Sequence, residues 1–335
     1  MYNVGVIGGG AILPRHIEAI EENKDFNLIA VCDIDNNTLQ SAKSMYNVNG
    51  YTNYKTMITK NPDINLIVVA TPNSLHFEQA SYALENGCDV LVEKPVSLNP
   101  KEVRLLSDIA DSNGRKAYTV LQVRLNPTVK ALKKVLEDNV LGKIRGISLT
   151  QRWQRPHSYF TGWRAEPLVG GGTLYECGIH YMDIICYLFG KPSVISAKTY
   201  NTKHIDCKIE DTIYSILDFK DFGGTLEVTI STEPNNLECS IVIIAERGYI
   251  KIGGKALDTV EEIKFINKNE EELFKKITDN MMKESKAPNS YGTHQGSCPN
   301  HPNLYKNIKD FKLTESENVI DLIDEIYKKT DKQYY

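Results

Sequence analysis

Uninterrupted apolar runs recur through the first third of the chain, at residues 4–7, 28–32, 66–70 and 89–92, and each stops abruptly at glycine, carboxylate or turn residues. Short runs without polar alternation suit strands of a parallel sheet covered on both faces. Helical signals lie between them: Pro14 in the first turn of one helix, Ser74 at the cap of another that ends near Gly87, and Pro100 opening a third over residues 100–112. Strand and helix therefore alternate, which predicts a doubly wound parallel sheet completed by a strand at residues 117–122. A helix follows at 127–139. From residue 144 the pattern changes to polar alternation, as in Ile147-Ser148-Leu149-Thr150 and Thr225-Leu226-Glu227-Val228-Thr229-Ile230. Strands of that kind make a mostly antiparallel sheet with one face wet or turned to a partner. The expected fold class is α/β, with a doubly wound domain over 1–123 and an α+β domain over 124–335. The lysine- and glutamate-rich residues 267–286 read as a solvated helix or loop.

Composition narrows the function classes. A chain of 335 residues, 41% hydrophobic, can bury two cores. Its formal net charge of -4 argues against nucleic acid as the main partner. No apolar stretch is long enough to span a bilayer, and Met1 leads within a few residues into a strand, so a cytoplasmic protein is expected. The 7 cysteines are scattered without a Cys-x-x-Cys pair, which indicates neither a disulfide framework nor a zinc site.

Candidate chemistry gathers where the apolar runs end, since ligands of open α/β sheets bind beyond the carboxyl ends of the strands. The first run meets Gly8-Gly9-Gly10-Ala11-Ile12-Leu13, in which Gly8 and Gly10 fit the first two glycines of a dinucleotide fingerprint and Leu13 departs from the third. The second run ends in Asp33, about 20 residues beyond that turn, where an acid binds the adenosine ribose. Ile34 and Asp35 offer no cation for a 2′-phosphate, so NAD rather than NADP is expected. Thr71, Pro72 and Asn73 follow the next strand and border the cofactor together with His76, which reads as more structural than catalytic. The strand at 89–92 delivers Glu93, Lys94 and Pro95 to the same edge. Lys94 is suited to stabilise developing alkoxide charge, and the Lys94–Pro95 bond can take either isomer.

The glycine turn, the Val-Cys-Asp strand end, Ala70-Thr71-Pro72-Asn73 with His76, and above all Glu93-Lys94-Pro95 resemble the glucose-fructose oxidoreductase and inositol dehydrogenase (Gfo/Idh/MocA) family across essentially the whole chain. The resemblance implies an N-terminal Rossmann domain that binds NAD and a C-terminal sheet that pairs subunits as a homodimer or homotetramer.

In the second half, Gly170-Gly171-Gly172 lets backbone approach a ligand and leads into a helix on which Glu176, His180 and Asp183 stand four and three residues apart, on one face. Oxidation of an alcohol needs a base for the hydroxyl proton, and an imidazole with an ordinary pKa near ~6.5 fits, which selects His180. The family's Asp-x-x-x-His pattern falls on Glu176 and His180, Glu176 being longer than the family's aspartate. Asp183 reads as an orienting or structural acid. No matching ligand set supports a metal.

Arg152 to Phe160 and Trp163-Arg164 resemble segments of UDP-N-acetylglucosaminuronate 3-dehydrogenases, a branch of that family, as does Tyr291 to His301 with Leu304-Tyr305. Arg155 and Arg164 can hold carboxylate or phosphate in a planar fork, and Tyr159 can stack on a ring. The resemblance puts Glu93, Gln122, Trp163 and Arg164 beside the cofactor, and Arg124, Asn300 and His301 beside a UDP-sugar oxidised at C3. The alternatives are a dehydrogenase for inositol or a free sugar, and a non-catalytic NAD-bound sensor, which would be expected to lose Lys94 or His180.

Overall fold

A computed structural model of the protein describes residues 1–284 and 300–330. The chain forms two compact units, one of Met1–Leu121 and His301–Ile320, the other of Gln122–Asn300 and the chain from Asp321 onward.

The first unit is built on six strands, β1 (Tyr2–Ile7), β2 (Phe26–Cys32), β3 (Asn49–Tyr51), β4 (Leu66–Val69), β5 (Asp89–Val92) and β6 (Ala117–Thr119), in the order β3-β2-β1-β4-β5-β6. All pairs are parallel. The runs of valine, leucine and isoleucine follow from this arrangement: Val4, Val6, all of β4, and Val90 to Val92 are at 0% exposure, because helices cover both faces. Strand order reverses between β1 and β4, so their carboxyl ends diverge and leave the crevice in which such sheets bind ligands.

The last expected strand of this unit is shorter than its apolar run, ending at Thr119, and Gln122–Leu125 is a 3₁₀ turn. A returning segment closes that edge. Thr119 N–H donates to the Phe311 carbonyl at 2.9 Å, Tyr118 bridges Lys312, and Ser316 Oγ donates to Thr119 Oγ1 at 3.1 Å. Tyr305, fully buried, hydrogen-bonds His16 Nδ1 at 2.8 Å and packs on the Phe26 ring at 5.0 Å between centres. The sequence reading kept 124–335 together, whereas residues 301–320 belong with the first unit. Their pairing with His16, Phe26 and Thr119 joins residues remote in sequence, which local pattern does not record.

The second unit contains β7 (Ile144–Arg152), β8 (Ser193–Tyr200), β9 (Thr212–Asp218), β10 (Gly223–Thr229), β11 (Glu238–Ala245), β12 (Gly248–Gly253) and β13 (Thr259–Phe265), in the order β13-β12-β11-β7-β10-β9-β8. Every pair is antiparallel except β7 with β10. The alternation resolves as expected: Leu149, Leu226, Val228, Ile241 and Ile243 point into the core, while Tyr214, Ile216 and Ile244 are exposed. The charged stretch near 267–286 is a helix, Lys268–Glu284, and is more than solvated, because Phe274 is buried beside Phe265 and the helix packs on the helix Pro127–Glu137. No helix of the described residues is long and apolar enough to cross a membrane.

Candidate active site

In the first unit the glycine turn links β1 to the helix Leu13–Glu21. Gly8 has φ +109°, and a Cβ there would stand 2.3 Å from the Ala70 carbonyl oxygen, so only glycine fits. At Gly10 a Cβ would meet no protein atom within 4 Å, so packing does not call for glycine there, whereas close approach of a ligand to backbone does. Ile12 caps the helix without any side-chain hydrogen bond; the Leu13 N–H donates to the Gly10 carbonyl and the Arg15 N–H to the Ile12 carbonyl, each at 3.0 Å, and Pro14 has no N–H to offer. Leu13, in place of the third glycine, is buried in the core. Asp33 Oδ2 accepts the Gly9 N–H at 2.7 Å and Oδ1 that of Asp35 at 2.8 Å, which ties the end of β2 to the turn.

At the next strand ends, Thr71 Oγ1 donates to Gln79 Oε1 at 2.6 Å and Asn73 is buried at the start of a 3₁₀ turn that follows Pro72. His76 is buried with Nδ1 2.7 Å from the Pro95 carbonyl and Nε2 2.8 Å from that of Thr71, a structural setting rather than an exposed cofactor contact. Lys94–Pro95 is cis. Glu93, expected at the cofactor, and His301, expected at the substrate, instead form one buried cluster with His16. His301 Nε2 lies 3.4 Å and His16 Nε2 3.2 Å from Glu93 Oε1, the latter without good hydrogen-bond alignment. The three could converge on a metal, their ligand atoms lying within 4.8 Å of one another, a set that sequence spacing did not reveal. Burial alone would raise the Glu93 carboxyl, but the two ring nitrogens outweigh it and hold it well below the usual carboxylate range. Burial pushes His16 and His76 down, against the smaller upward pull of Glu93 and the carbonyls.

In the second unit the helix expected after Gly172 begins with a π turn, Leu174–Gly178, and continues as the α-helix Ile179–Phe189. The wider turn changes the facing that offsets of four and three imply for an α-helix. Glu176 is buried, with Oε2 3.0 Å from Arg164 Nε and 3.3 Å from Tyr159 Oη. Asp183 is buried and takes Arg124 Nε at 2.9 and 3.0 Å. His180 is half-buried. Arg124, expected on the substrate, is therefore committed to Asp183 and stacks on Tyr187 at 4.6 Å. Asn300 Nδ2 likewise turns inward, to the Gln122 carbonyl at 3.2 Å and Asn126 Oδ1 at 3.0 Å.

Gly172, expected to let backbone approach a ligand, lets it approach protein: with φ +95°, its Cβ would lie 2.6 Å from Tyr327 Oη. That hydroxyl donates to Glu210 Oε1 at 2.7 Å and accepts the Leu174 N–H at 3.1 Å, while Thr173 N–H donates to Glu210 at 2.9 Å. Nearby, Arg155 lies 4.7 Å from the Trp153 ring centre and 5.4 Å from that of Tyr159, and Arg164 lies 5.1 Å from Tyr159 and 4.4 Å from Trp163. Arg155 also donates to the Gln154 carbonyl at 2.7 Å. Burial, then the neighbouring Cys177 and Glu176, push the Tyr159 phenol well up, so it stays protonated. The part of the C-terminal motif at 291–299 lies outside the described residues.

Comparison with known proteins identifies the family. Residues 2–121 match the oxidoreductase family with an NAD-binding Rossmann fold, and residues 129–251 match the GFO/IDH/MocA C-terminal domain. The chain belongs to the GFO/IDH/MocA oxidoreductase family. As a member it is an oxidoreductase with an NAD-binding Rossmann domain. It is 27% identical over 263 residues to the D-glucoside 3-dehydrogenase of Escherichia coli (strain K12), covering 72% of this chain and 73% of that one. It is also 27% identical to the glucose-6-phosphate 3-dehydrogenase of Bacillus subtilis (strain 168), covering 72% and 69%. Among solved structures, the WlbA dehydrogenase of Bordetella pertussis in complex with NADH and UDP-GlcNAcA matches with a TM-score of 0.86 at 26% identity, covering 98% and 95%.

Three site-building residues escaped the sequence reading: His16, Glu210 and Tyr327. His16 carried a signal, because it shares the buried face of its helix with Leu13, Ile17 and Ile20, where a histidine needs a polar partner.

His16 and His76 set an expected pH dependence. Their folded-state pKa values are depressed, so as pH falls through about 6.5 the unfolded chain takes up protons that the folded chain does not, and stability drops. Glu93, also depressed, adds a second loss below its ordinary range. Thermal melts should show Tm declining below about pH 6.5, with a shallower decline in His76→Asn. A Tm constant from pH 8 to 5 would contradict the assignment.

Proposed function

We propose that the protein oxidises the C3 hydroxyl of a UDP-sugar, UDP-N-acetylglucosaminuronate first among them, to the 3-keto sugar in sugar-nucleotide biosynthesis for a surface polysaccharide. The observation that carries this reading is the whole-length likeness to a dehydrogenase solved with NADH and UDP-GlcNAcA. The cluster of Arg155, Arg164, Tyr159, Trp153 and Trp163 supports it, since planar cations and rings suit a substrate with carboxylate, diphosphate and base. A second reading, a dehydrogenase for a free or phosphorylated sugar, is favoured by the glucoside and glucose-6-phosphate relatives, whose names also specify C3.

In this account NAD, when bound, would supply the acceptor for the hydride at C3. His180 takes the hydroxyl proton as the carbonyl forms, and the Lys94 ammonium stabilises the developing negative oxygen. Glu176 acts on Arg164, fixing the guanidinium from a buried position, rather than on the reacting hydroxyl. Gly8, Gly10, Ala11, Ile12, Asp33 and Thr71 to Asn73 hold the cofactor. A homo-oligomer forms through the open face of the second sheet, where Ile195, Tyr214, Ile216 and Ile244 are exposed together with the polar residues that separate them.

Cofactor choice checks Asp33. NAD should bind more tightly than NADP, and Asp33→Ala should relax the preference; equal affinities in the unaltered protein would refute the role given to this carboxylate.

Substrate choice separates the two readings. UDP-N-acetylglucosaminuronate should be turned over well ahead of inositol or glucose 6-phosphate, and comparable or better turnover of the free sugars would promote the second reading.

Lys94 and His180 serve one proton transfer in this mechanism. Lys94→Ala and His180→Ala should each lower kcat by roughly 10² or more while NAD still binds. The double variant should be little worse than the worse single one; strictly additive losses would contradict a shared step.

A further inference from the structure

We propose that three buried histidines, His16, His76 and His301, are positioning residues for Lys94, which they hold by fixing its two neighbours in the chain. The proposal rests on the reading of Lys94 as the group that stabilises the reacting oxygen. Lys94 lies just past the end of β5, next to Glu93, whose N–H donates to the Val69 carbonyl at 2.9 Å.

Beyond that point the histidines take over. Glu93 Oε1 is held between His16 Nε2 at 3.2 Å and His301 Nε2 at 3.4 Å, and its other oxygen accepts the Lys94 backbone N–H at 3.1 Å. On the far side, His76 Nδ1 lies 2.7 Å from the Pro95 carbonyl and Nε2 2.8 Å from that of Thr71, and the neutral ring donates to one of the two. Lys94 thus stands half-buried between two neighbours whose polar groups are pinned, while the histidines are at 0, 1 and 2% exposure.

His16 is itself oriented by Tyr305 Oη at 2.8 Å on Nδ1. With the hydroxyl donating to Nδ1, Nε2 carries the proton and faces the carboxylate, a consistent tautomer for a neutral ring. The same three side chains could be read as metal ligands. The hydrogen-bonded reading accounts for the Tyr305 hydroxyl on His16 Nδ1, for His301 on one Glu93 oxygen and for the Lys94 N–H on the other, while His16 Nε2 approaches the carboxylate at 3.2 Å without hydrogen-bond alignment.

The test uses the full-length protein and the variants His16→Asn, His76→Asn and His301→Asn, with Tyr305→Phe as a milder change that removes only the hydroxyl on His16. Trace acetylation with acetic anhydride, read by mass spectrometry, reports each lysine amine without any substrate. Lys94 should change its labelling rate by about threefold or more in the variants, relative to Lys130 in the same sample, because its exposure and hydrogen bonding change with its backbone. Turnover of UDP-N-acetylglucosaminuronate should fall by about tenfold or more in kcat, with the KM for NAD within about threefold. In a Lys94→Ala background the same substitutions should cost little further.

Unchanged Lys94 labelling in all four variants would overturn the proposal, as would one equivalent of zinc per chain in the purified protein that is lost in His301→Asn. A Lys94→Ala enzyme with unaltered kcat would remove the catalytic reading beneath it, a different failure from intact Lys94 catalysis that ignores the histidines.

Discussion

A carboxylate buried at the end of a parallel strand has to find hydrogen-bond donors inside the protein, since leaving it uncompensated would cost on the order of several kcal/mol. Glu93 is that carboxylate, 7% exposed, and its donors come from opposite ends of the chain. His16 comes from the helix after the glycine turn, and His301 from the segment that returns after residue 300. Satisfying one group therefore ties together the cofactor turn, the strand that carries Lys94 and the C-terminal return. The returning segment also supplies Tyr305 against His16 and Phe26, and closes the β6 edge through Phe311 and Ser316. An otherwise unpaired strand edge is thereby covered.

The second unit meets the same requirement around the helix that carries His180. Its first N–H groups have no intrahelical acceptors, and Glu210 and Tyr327 accept those of Thr173 and Leu174 from 37 and 153 positions away in sequence. Arg124 neutralises Asp183, and Arg164 neutralises Glu176. Glu176 and Asp183 on this helix are thus bound in ion pairs, and His180 is half-buried.

Local pattern carried a large part of this architecture. The four apolar runs, the helix at 100–112, the strand at 144–152 and the switch to alternation all reflect side-chain period and burial, which a sequence displays directly. The glycine turn and Asp33 were legible because dinucleotide binding imposes fixed spacing. What escaped were contacts between residues remote in sequence: His301 with Glu93, Asn300 with Gln122, Arg124 with Asp183. Each was a polar residue near a recognised motif, and each is turned toward a buried partner instead of being free for a ligand. The π turn escaped for a different reason, since an α-helical offset rule cannot register one extra residue in a turn. Gly172 shows the same limit, its missing side chain making room for Tyr327 rather than for a ligand.

The central claim is that hydride leaves C3 of a UDP-sugar for NAD. The most direct measurement is turnover of UDP-N-acetylglucosaminuronate deuterated at C3, with mass spectrometry of both products. The account predicts reduced nicotinamide carrying the label, together with an unlabelled 3-keto sugar nucleotide. Label retained in the sugar while NADH forms would place the oxidation at another carbon, and absence of NADH with this substrate while a free sugar is oxidised would contradict the UDP-sugar assignment.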